Sequence, residues 1–354
     1  MNFTKSKIKI FLLNIISYLI NKSLSLKKNN YLFLIKLYKY IYEKTKFNIV
    51  FKNEIINKDY IELESCQDNK DVNFFTISFS NDILKNITTM KRAKNCLDYW
   101  IPLGIKLSNK AKKNFYIKLN CGDGASSSYL SMNSDQTRNL IPDLYSLDAA
   151  KKIKPELTSQ SFEEFKTIWL RKENTMYWRG STTGNSYKDI NQLNSLKRIE
   201  ICKKYREKKN MDIKISRIIQ NGIKKREIIK YLVNEQIFGK EVSEDKFRSY
   251  KYYPDIPGNS LAWGTITKYL AGSLIFKAEY EQKLYYYQLL KPWTHYIPVN
   301  TDFSDLEEKL IWAQSNITKS LEIAYSGYII IFEYLKNIDK HFINTSLIYI
   351  ENND

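Results

Sequence analysis

The chain has 354 residues, of which 43% are hydrophobic and 27% charged, and its formal net charge is +18. This hydrophobic fraction can bury a core, which excludes a disordered tail or a fibrous protein. The charge indicates an anionic partner: nucleic acid, anionic lipid or a phosphorylated substrate. It is local, because residues 1–53 carry a net +10 and residues 197–230 a net +9. The rest of the chain is almost neutral.

Cysteine and histidine are scarce. None of the four cysteines is close enough to another for a Cys-x-x-Cys pair, which indicates reduced thiols in a cytoplasmic protein. They are Cys66, Cys96, Cys121 and Cys202. The only histidines are His295 and His341, so we expect no zinc site.

Two apolar stretches near the amino terminus are interrupted and flanked by lysines. Residues 8–20 are too short to span a bilayer comfortably, and residues 31–42 mix aromatic side chains with lysines. Both fit helices that lie in a membrane interface, with basic groups against anionic headgroups. Two ordinary amphipathic helices packed on the protein body would give the same pattern. A small-residue cleavage site is absent, so we do not expect a secretory signal.

Beyond residue 55, strands and helices alternate, which is typical of an α/β fold. Strands are predicted over 74–79, 115–119, 175–179 and 273–278. Helices are predicted within 82–103, over 162–172 with Ser161 as N-cap, over most of 191–235, after the turn 255–260 through Lys268 and Leu270, and over 306–335 with Asp302, Ser304 and Asp305 as caps. Residues 120–128 are rich in Gly and Ser and predict a loop.

The first segment with chemical potential is residues 178–184, which read WRGSTTG. A strand ends in Arg179, and a turn with three hydroxyl groups between two glycines follows. The guanidinium is a rigid donor fork, the hydroxyls donate, and glycine lets a backbone approach closely, so the turn is suited to a phosphate or a ribose. It is not a Walker loop, because no Gly-Lys-Ser/Thr follows. A polar turn with a structural arginine would look the same.

Two further segments carry polar or aromatic clusters. Residues 255–264 (DIPGNSLAWG) offer free backbone N–H groups at the start of a helix, which suits a diphosphate, although a capped loop–helix junction has the same pattern. In residues 279–299, Trp293, His295 and Tyr296 are predicted to form a pocket wall. His295 has the residue type for acid–base catalysis, but a lone histidine in an aromatic strand is more often a packing residue.

In this order, the three segments resemble glycosyltransferase family 90, the group of Rumi-type protein O-glucosyltransferases, fungal capsule xylosyltransferases and bacterial lipopolysaccharide-modifying enzymes. The segments 178–184 and 290–299 are the most specific. The supporting matches are Asp255, Gly258, Asn259, Ser260, Trp263, Gly264, the segment 272–276, Asp305, Leu306, Ile323, Ala324 and Gly327. The resemblance covers about residues 120–340 and leaves residues 1–55 outside.

The resemblance implies a GT-B-like α/β architecture, in which two Rossmann-like domains face a cleft, with a basic N-terminal helical extension over 1–54. It implies an acceptor-side domain over 55–172, a nucleotide-sugar-binding domain over 173–335 and a tail over 336–354. The donor is usually a UDP-sugar, and transfer inverts the anomeric carbon without a required metal or other cofactor. The residues expected near the donor are Arg179, Gly180, Ser181, Thr182, Thr183, Arg198, Gly258, Asn259, Ser260 and Trp263.

The chain departs from the eukaryotic members at two positions. Gly264 stands about where they carry an arginine, and Asn139 about where they carry the catalytic aspartate. An acceptor hydroxyl still needs a base as it attacks the anomeric carbon. We expect Asp143 to be that base, with Asp123 and Asp135 as the alternatives.

Together, the residues and the resemblance predict a bacterial glycosyltransferase that extends lipopolysaccharide or lipooligosaccharide core. We expect it on the cytoplasmic face of the inner membrane, bound peripherally through residues 1–54. The expected partners are a nucleotide-sugar donor, a lipid-linked glycan acceptor and the anionic membrane surface, but no nucleic acid. Two alternatives stay open: a catalytically inactive scaffold of the same fold, and a basic nucleic-acid-binding protein, which the charge and the 27 tyrosines would favour.

Overall fold

The computed structural model describes residues 47–52, 60–67, 73–79, 87–111, 114–120, 129–135, 137–153, 157–219 and 222–353. The apolar stretches 8–20 and 31–42, the loop residues 121–128 and the candidate base Asp123 lie outside this part of the chain. The described residues fall into two compact units. No helix among them is long and apolar enough to cross a membrane.

The first unit is built on a mixed five-stranded sheet. Its strands are β1 (Phe47–Lys52), β2 (Tyr60–Gln67), β3 (Asn73–Phe79), β4 (Phe115–Asn120) and β5 (Leu130–Ser131), in the order β1-β3-β2-β4-β5. β1 is parallel to β3 and β4 is parallel to β5, whereas β2 is antiparallel to both of its neighbours. The strands predicted over 74–79 and 115–119 are confirmed.

Helix α1 (Ile87–Ala111) belongs to the first unit. It buries Trp100, Leu103 and Leu107, which recur at the spacing that puts side chains on one helix face. The helix predicted within 82–103 is therefore confirmed, and it continues for two further turns.

The second unit is built on a parallel five-stranded sheet. Its strands are β7 (Glu173–Ser181), β8 (Met211–Arg217), β9 (Tyr250–Pro254), β10 (Leu274–Ala278) and β12 (Ile297–Val299), and a separate antiparallel pair joins β6 (Asn133–Ser134) to β11 (Lys283–Leu284). The sheet order is β12-β10-β9-β7-β8, with every neighbouring pair parallel. Counted along the chain, this is the 2-1-3-4-5 order of a doubly wound sheet. The winding direction therefore reverses between β7 and β9.

The core of the second unit lies along the central strands of this sheet. β9 and β10 are buried over their whole length, as expected for parallel strands that are covered on both faces. Trp178, Tyr252 and Phe276 are among the largest fully buried side chains, and the rings of Tyr252 and Phe276 meet edge-on at 6.1 Å. The strands predicted over 175–179 and 273–278 are confirmed here, and with them the α/β class.

Helices connect and flank these strands. They are α2 (Leu144–Ala150) and α3 (Phe162–Leu170) before β7, α4 (Ile190–Asn194) and α5 (Lys197–Tyr205) between β7 and β8, α6 (Lys225–Asn234) between β8 and β9, α7 (Thr265–Leu270) between β9 and β10, and α8 (Leu306–Ser315), α9 (Ile317–Lys336) and α10 (Ile338–Glu351) after β12. Helix α3 begins at the predicted cap. The Ser161 hydroxyl accepts from the N–H of Glu164, and the Glu164 carboxylate accepts in return from the N–H of Ser161.

Two helix predictions need correction. The helical structure predicted over most of 191–235 is interrupted by a strand, because β8 lies between α5 and α6. Polar side chains alternate with apolar ones along β8, and the buried ones are Met211, Ile213 and Ile215. This alternation is the strand signal that the prediction overlooked. The run 306–335 is two helices rather than one, since the backbone leaves the helical region at Asn316 (φ −116°, ψ 56°).

Helices α2 and α3 belong to the second unit, together with the parallel sheet. The first unit includes residues 343–353, which begin within α10, and the second unit includes residues 132–342. The domain limits predicted at 54, 172 and 335 stay predictions.

The packing of α9 predicts a strong effect of one added methyl group. A Cβ on Gly327 would lie 2.6 Å from the carbonyl oxygen of His295 and 2.8 Å from Cε1 of Tyr269. We expect Gly327→Ala to lower the free energy of unfolding by about 2 kcal/mol, since the overlap outweighs the helix preference of alanine. Differential scanning calorimetry measures the change. Ser326→Ala on the same helix is the control, and equal losses in both variants would contradict the clash.

Candidate functional site

The two polar loops that the sequence singles out meet at the carboxyl edge of the parallel sheet. Residues 181–184 begin at the last residue of β7 and residues 255–260 follow β9, which are neighbouring strands. The winding reverses between these strands, and doubly wound sheets bind ligands in the crevice outside that point. The fold therefore brings together segments that lie more than seventy residues apart in the chain.

Arg198 of α5 holds the two loops together. Its Nη1 donates to Oγ1 of Thr183 (2.6 Å) and to the carbonyl of Ser181 (3.1 Å). Its Nε donates to the carbonyl of Pro257 (2.9 Å), and its Nη2 to the carbonyl of Ile256 (3.0 Å). Because the guanidinium is a planar, rigid fork, these bonds fix both loops relative to α5. Most of the donors of Arg198 therefore bind the protein itself.

The guanidinium of Arg198 is largely shielded from water. Burial lowers its pKa from the ordinary value, and the nearby Tyr253 and Asp255 oppose that shift. An arginine nevertheless stays charged in proteins. The guanidinium carbon also lies 5.3 Å from the ring centre of Trp178. A fixed positive charge thus lies beneath the two loops.

The loops also contact each other directly. The N–H of Gly184 donates to the side-chain carbonyl of Asn259 (2.9 Å). Gly258 packs so closely on the other loop that a Cβ there would lie 2.8 Å from Oγ1 of Thr183. The hydroxyl oxygens of Thr183 and Ser181 are 3.3 Å apart. These contacts require glycine at position 258 and align two hydroxyls along the crevice.

A buried carboxylate closes the second loop. Asp255 follows β9 and accepts a hydrogen bond from the hydroxyl of Thr265, the first residue of α7. Burial raises the pKa of Asp255, whereas Lys277, Thr265 and Arg198 oppose the shift. The sequence indicated Asp255 only as a matching residue and did not indicate this structural role. Its position directly after the aromatic strand β9 was the available signal.

The closed loop presents groups that a ligand could use. Gly258 and Ser260 are partly exposed and Asn259 is exposed. The hydroxyl of Ser260 is buried and has no hydrogen-bond partner within the described part of the chain. Helix α7 has only six residues, so its dipole adds little, and the loop itself supplies the donors. The crevice therefore offers hydroxyls and backbone N–H groups above a fixed cation, which suits a diphosphate.

Two members of the first predicted cluster are part of the packing. Thr182 is fully buried, and its hydroxyl donates to the carbonyl of Ile219 (2.8 Å) and accepts from Tyr187 (3.1 Å). Gly180 lies against the indole of Trp178, where no Cβ would fit. Thr182 and Gly180 therefore shape the end of β7, and the hydroxyls of Ser181 and Thr183 are the ones that face the crevice.

Arg179 is not brought together with the loops. Its Nη2 donates to Oδ2 of Asp212 (2.6 Å), and its Nη1 donates to the carbonyls of Asp212 and Trp178, each at 2.8 Å. The guanidinium carbon lies 4.2 Å from the ring centre of Tyr177. Successive side chains of a strand point to opposite faces, so Arg179 lies on the other face of β7 from Trp178 and Arg198.

The predicted pocket wall divides between the two edges of the sheet. Trp293 precedes β12 and therefore lies at the amino edge, where its ring meets that of Trp312 edge-on at 4.9 Å. His295 accepts from the N–H of Lys291 at Nδ1 (2.9 Å), and burial lowers its pKa. Tyr296 is buried, and its hydroxyl donates to Glu279 after β10.

The candidate bases occupy different environments. Asp143 is fully buried and caps α2, where Oδ1 accepts from the N–H groups of Tyr145 (2.9 Å) and Ser146 (3.0 Å). Oδ2 accepts from the hydroxyl of Ser146 (2.5 Å). Burial raises the pKa of Asp143, and these hydrogen bonds oppose the shift. Asp135 is exposed and accepts from the hydroxyl of Ser134 (3.1 Å).

The remaining predicted donor residue, Trp263, lies next to an aromatic side chain that the sequence analysis missed. Its ring stacks on that of Tyr145 with a centre-to-centre distance of 6.2 Å. Among the described residues, no group of three or more His, Cys, Asp and Glu side chains is placed to hold a metal ion.

The environment of Asp143 predicts that its replacement by asparagine and its replacement by alanine differ in their effect on stability. Asparagine is as good an N-cap as aspartate, whereas alanine cannot accept the two backbone hydrogen bonds. We expect Asp143→Ala to lower the free energy of unfolding by about 1–2 kcal/mol and Asp143→Asn to stay close to the wild type. Urea unfolding followed by tryptophan fluorescence measures both. A larger loss in the asparagine variant would show that the charge, not the cap, stabilises α2.

Replacing Arg198 by alanine is expected to lower the free energy of unfolding more than replacing Asp143 does. Removing Arg198 leaves the carbonyls of the buried residues Ile256 and Pro257, and that of the partly buried Ser181, without this donor, so we expect Arg198→Ala to lower the free energy of unfolding by about 3 kcal/mol. Arg206→Ala, which breaks an exposed ion pair with Glu235 at the end of the same helix, should cost less than about 1 kcal/mol. Differential scanning calorimetry measures the loss in both variants. Equal losses would mean that Arg198 does not hold the loops.

Comparison with known proteins agrees with the resemblance carried by the motifs. The profile of glycosyl transferase family 90 matches residues 140–340. Protein O-glucosyltransferase 1 of Rattus norvegicus is 38% identical over 90 residues, which is 25% of this chain and 23% of that protein. Protein O-glucosyltransferase 2 of Danio rerio is 30% identical over 164 residues, 45% of this chain and 29% of that protein.

A viral relative gives a longer match. Uncharacterized protein 179R of Invertebrate iridescent virus 6 is 26% identical over 212 residues, 52% of this chain and 18% of that protein. In all three relatives, the matched part is less than a third of the relative's own length. The family profile covers more than half of the chain and includes both loops of the crevice. The chain therefore belongs to glycosyl transferase family 90.

Proposed function

We propose that the protein is a glycosyltransferase that moves a sugar from a nucleotide-sugar to a hydroxyl group. The observation that carries this proposal is the meeting of two distant polar loops, 181–184 and 255–260, above the buried Arg198. Membership of family 90 supports the reaction class. The crevice outside the switch point is where such a sheet binds a nucleotide.

In this proposal, the loops bind the diphosphate of the donor. The hydroxyls of Ser181, Thr183 and Ser260 and the free backbone N–H groups of the second loop are the donors. Arg198 acts from beneath, because its charge favours the negative charge that develops on the leaving diphosphate. The protein groups are already aligned before the donor binds, so little reorganisation is needed during transfer.

The finer features of the donor reaction follow from the family. We propose a UDP-sugar donor, inversion at the anomeric carbon, a GT-B arrangement and no required metal. The base that takes the proton of the acceptor hydroxyl is proposed among Asp143, Asp135 and Asp123. Asp143→Asn separates two roles, since it keeps the cap of α2 and removes a base.

For the acceptor we propose a bacterial surface glycan, in particular lipopolysaccharide or lipooligosaccharide core. The net charge of +10 over residues 1–53 supports peripheral binding to the anionic cytoplasmic face of the inner membrane. Two relatives are named protein O-glucosyltransferases, and a protein hydroxyl is therefore the second candidate acceptor.

Nucleotide binding tests the proposed reaction class. We expect UDP and one or more of UDP-glucose, UDP-galactose, UDP-xylose and UDP-N-acetylglucosamine to raise the melting temperature in buffer with EDTA. At a concentration of one hundred times Kd, the stabilisation is about 2.7 kcal/mol. ADP and GDP are the matched controls. A thermal-shift titration measures the effect and ranks the sugars.

Two results would contradict the proposal. Folded protein that responds to no nucleotide would favour the inactive scaffold. Tight binding to oligonucleotides that falls steeply with salt, without a response to UDP, would favour a nucleic-acid-binding protein.

A further inference from the structure

An exposed aromatic pair borders the crevice on the face opposite Arg198. The connections β7–β8 and β9–β10 run in opposite directions across the sheet, and right-handed crossovers therefore place α5 and α7 on opposite faces. Trp263 lies just before α7, and Tyr145 lies at the start of α2. Their ring planes are inclined by 26°. The Tyr145 side chain is 53% exposed, and Trp263 is partly exposed.

The aromatic pair is continuous with the second of the two loops, 181–184 and 255–260, that are proposed to bind the diphosphate. Trp263 follows Ser260 by three residues in the same loop, so a ligand on its ring would lie beside the proposed donor. Trp263 was predicted to lie near the donor, and its ring stacks on that of Tyr145 at the start of α2.

An exposed ion pair between Arg217 and Glu241 lies beside the aromatic pair, and these four side chains together form the border of the crevice. Arg217 ends β8 beside Ser181 in the sheet register, and its carbonyl accepts from the N–H of Thr182 (3.0 Å). Its guanidinium binds the carboxylate of Glu241, and both side chains are more than half exposed. Tyr145 is close enough to contribute to the raised pKa of Arg217, although the bond with Glu241 is the main cause.

This combination has the chemistry of a site for a neutral sugar. An aromatic face offers an apolar surface that matches the C–H face of a pyranose ring. A guanidinium and a carboxylate offer planar donors and acceptors to its hydroxyl groups. Because the two charges compensate each other, the border favours an uncharged ligand over a phosphate.

We propose that Tyr145, Trp263 and the Arg217–Glu241 pair bind a neutral sugar ring of the acceptor, next to the hydroxyl that is glycosylated. The inference rests on the proposed function and deepens it, because it makes the acceptor a glycan rather than a bare Ser or Thr side chain. The donor crevice and the aromatic border are then two halves of one substrate path.

Saturation-transfer NMR on the UDP-saturated full chain tests the inference. The probes are methyl β-glucopyranoside, methyl β-galactopyranoside, methyl β-xylopyranoside and the peptide acetyl-Gly-Ser-Gly-amide. We expect at least one glycoside to gain saturation, and Tyr145→Ala and Trp263→Ala to reduce that signal at least about fivefold. Trp263→Phe, which keeps a ring, should retain most of it. Tyr116→Ala is the matched control, because Tyr116 is 52% exposed and lies in the first unit.

The UDP thermal shift of each variant keeps the two proposals apart. An unchanged shift in Tyr145→Ala together with the lost glycoside signal supports a sugar subsite. Three results would overturn it: a wild type that binds UDP but none of the glycosides, equal glycoside signals in wild type and Tyr145→Ala, or a reduced UDP shift in Tyr145→Ala, which would assign the rings to the nucleobase. A wild type that does not bind UDP would instead overturn the proposed function.

Discussion

The buried guanidinium of Arg198 is the constraint on which the candidate site depends. A charge removed from water must find hydrogen-bond acceptors, and Arg198 finds them in the carbonyls and two hydroxyls of two loops that are distant in the chain. The second loop is closed at its far end by the bond between Asp255 and Thr265. Its polar groups are therefore aligned by the fold rather than by a ligand. Alignment of this kind lowers the cost of stabilising charge in a transition state.

The doubly wound topology explains why the cation at the crevice is Arg198 rather than Arg179. Arg179 lies in the more recognisable motif, but strand alternation turns it away from Trp178 and toward Asp212. Arg198 lies on the helix that follows β7, and a right-handed crossover returns this helix over the sheet. Residue type alone could not separate the two arginines. The distinction requires the face of the strand and the path of the crossover.

The sequence predicted the elements whose signals are local and missed relations between distant residues. The capping box of α3 and the largely apolar strand β10 are local, and both were predictable. Strand β8 has the apolar–polar alternation of a strand but was missed, because the basic charge of the surrounding segment was given more weight than this short pattern. Trp293 and Tyr296 belong to one short motif, yet one lies before β12 at the amino edge and the other reaches Glu279. Spacing along the chain does not tell which end of a sheet a side chain reaches.

Different kinds of group form the two sides of the substrate path. The proposed donor side rests on buried groups, Arg198 and Asp255, whose replacement would leave other buried polar groups without partners. The proposed acceptor side is formed by exposed groups such as Tyr145 and Arg217, which can change at small cost to stability. A protein can therefore keep the crevice while its acceptor changes. The acceptor must accordingly be identified from the border, not from the crevice.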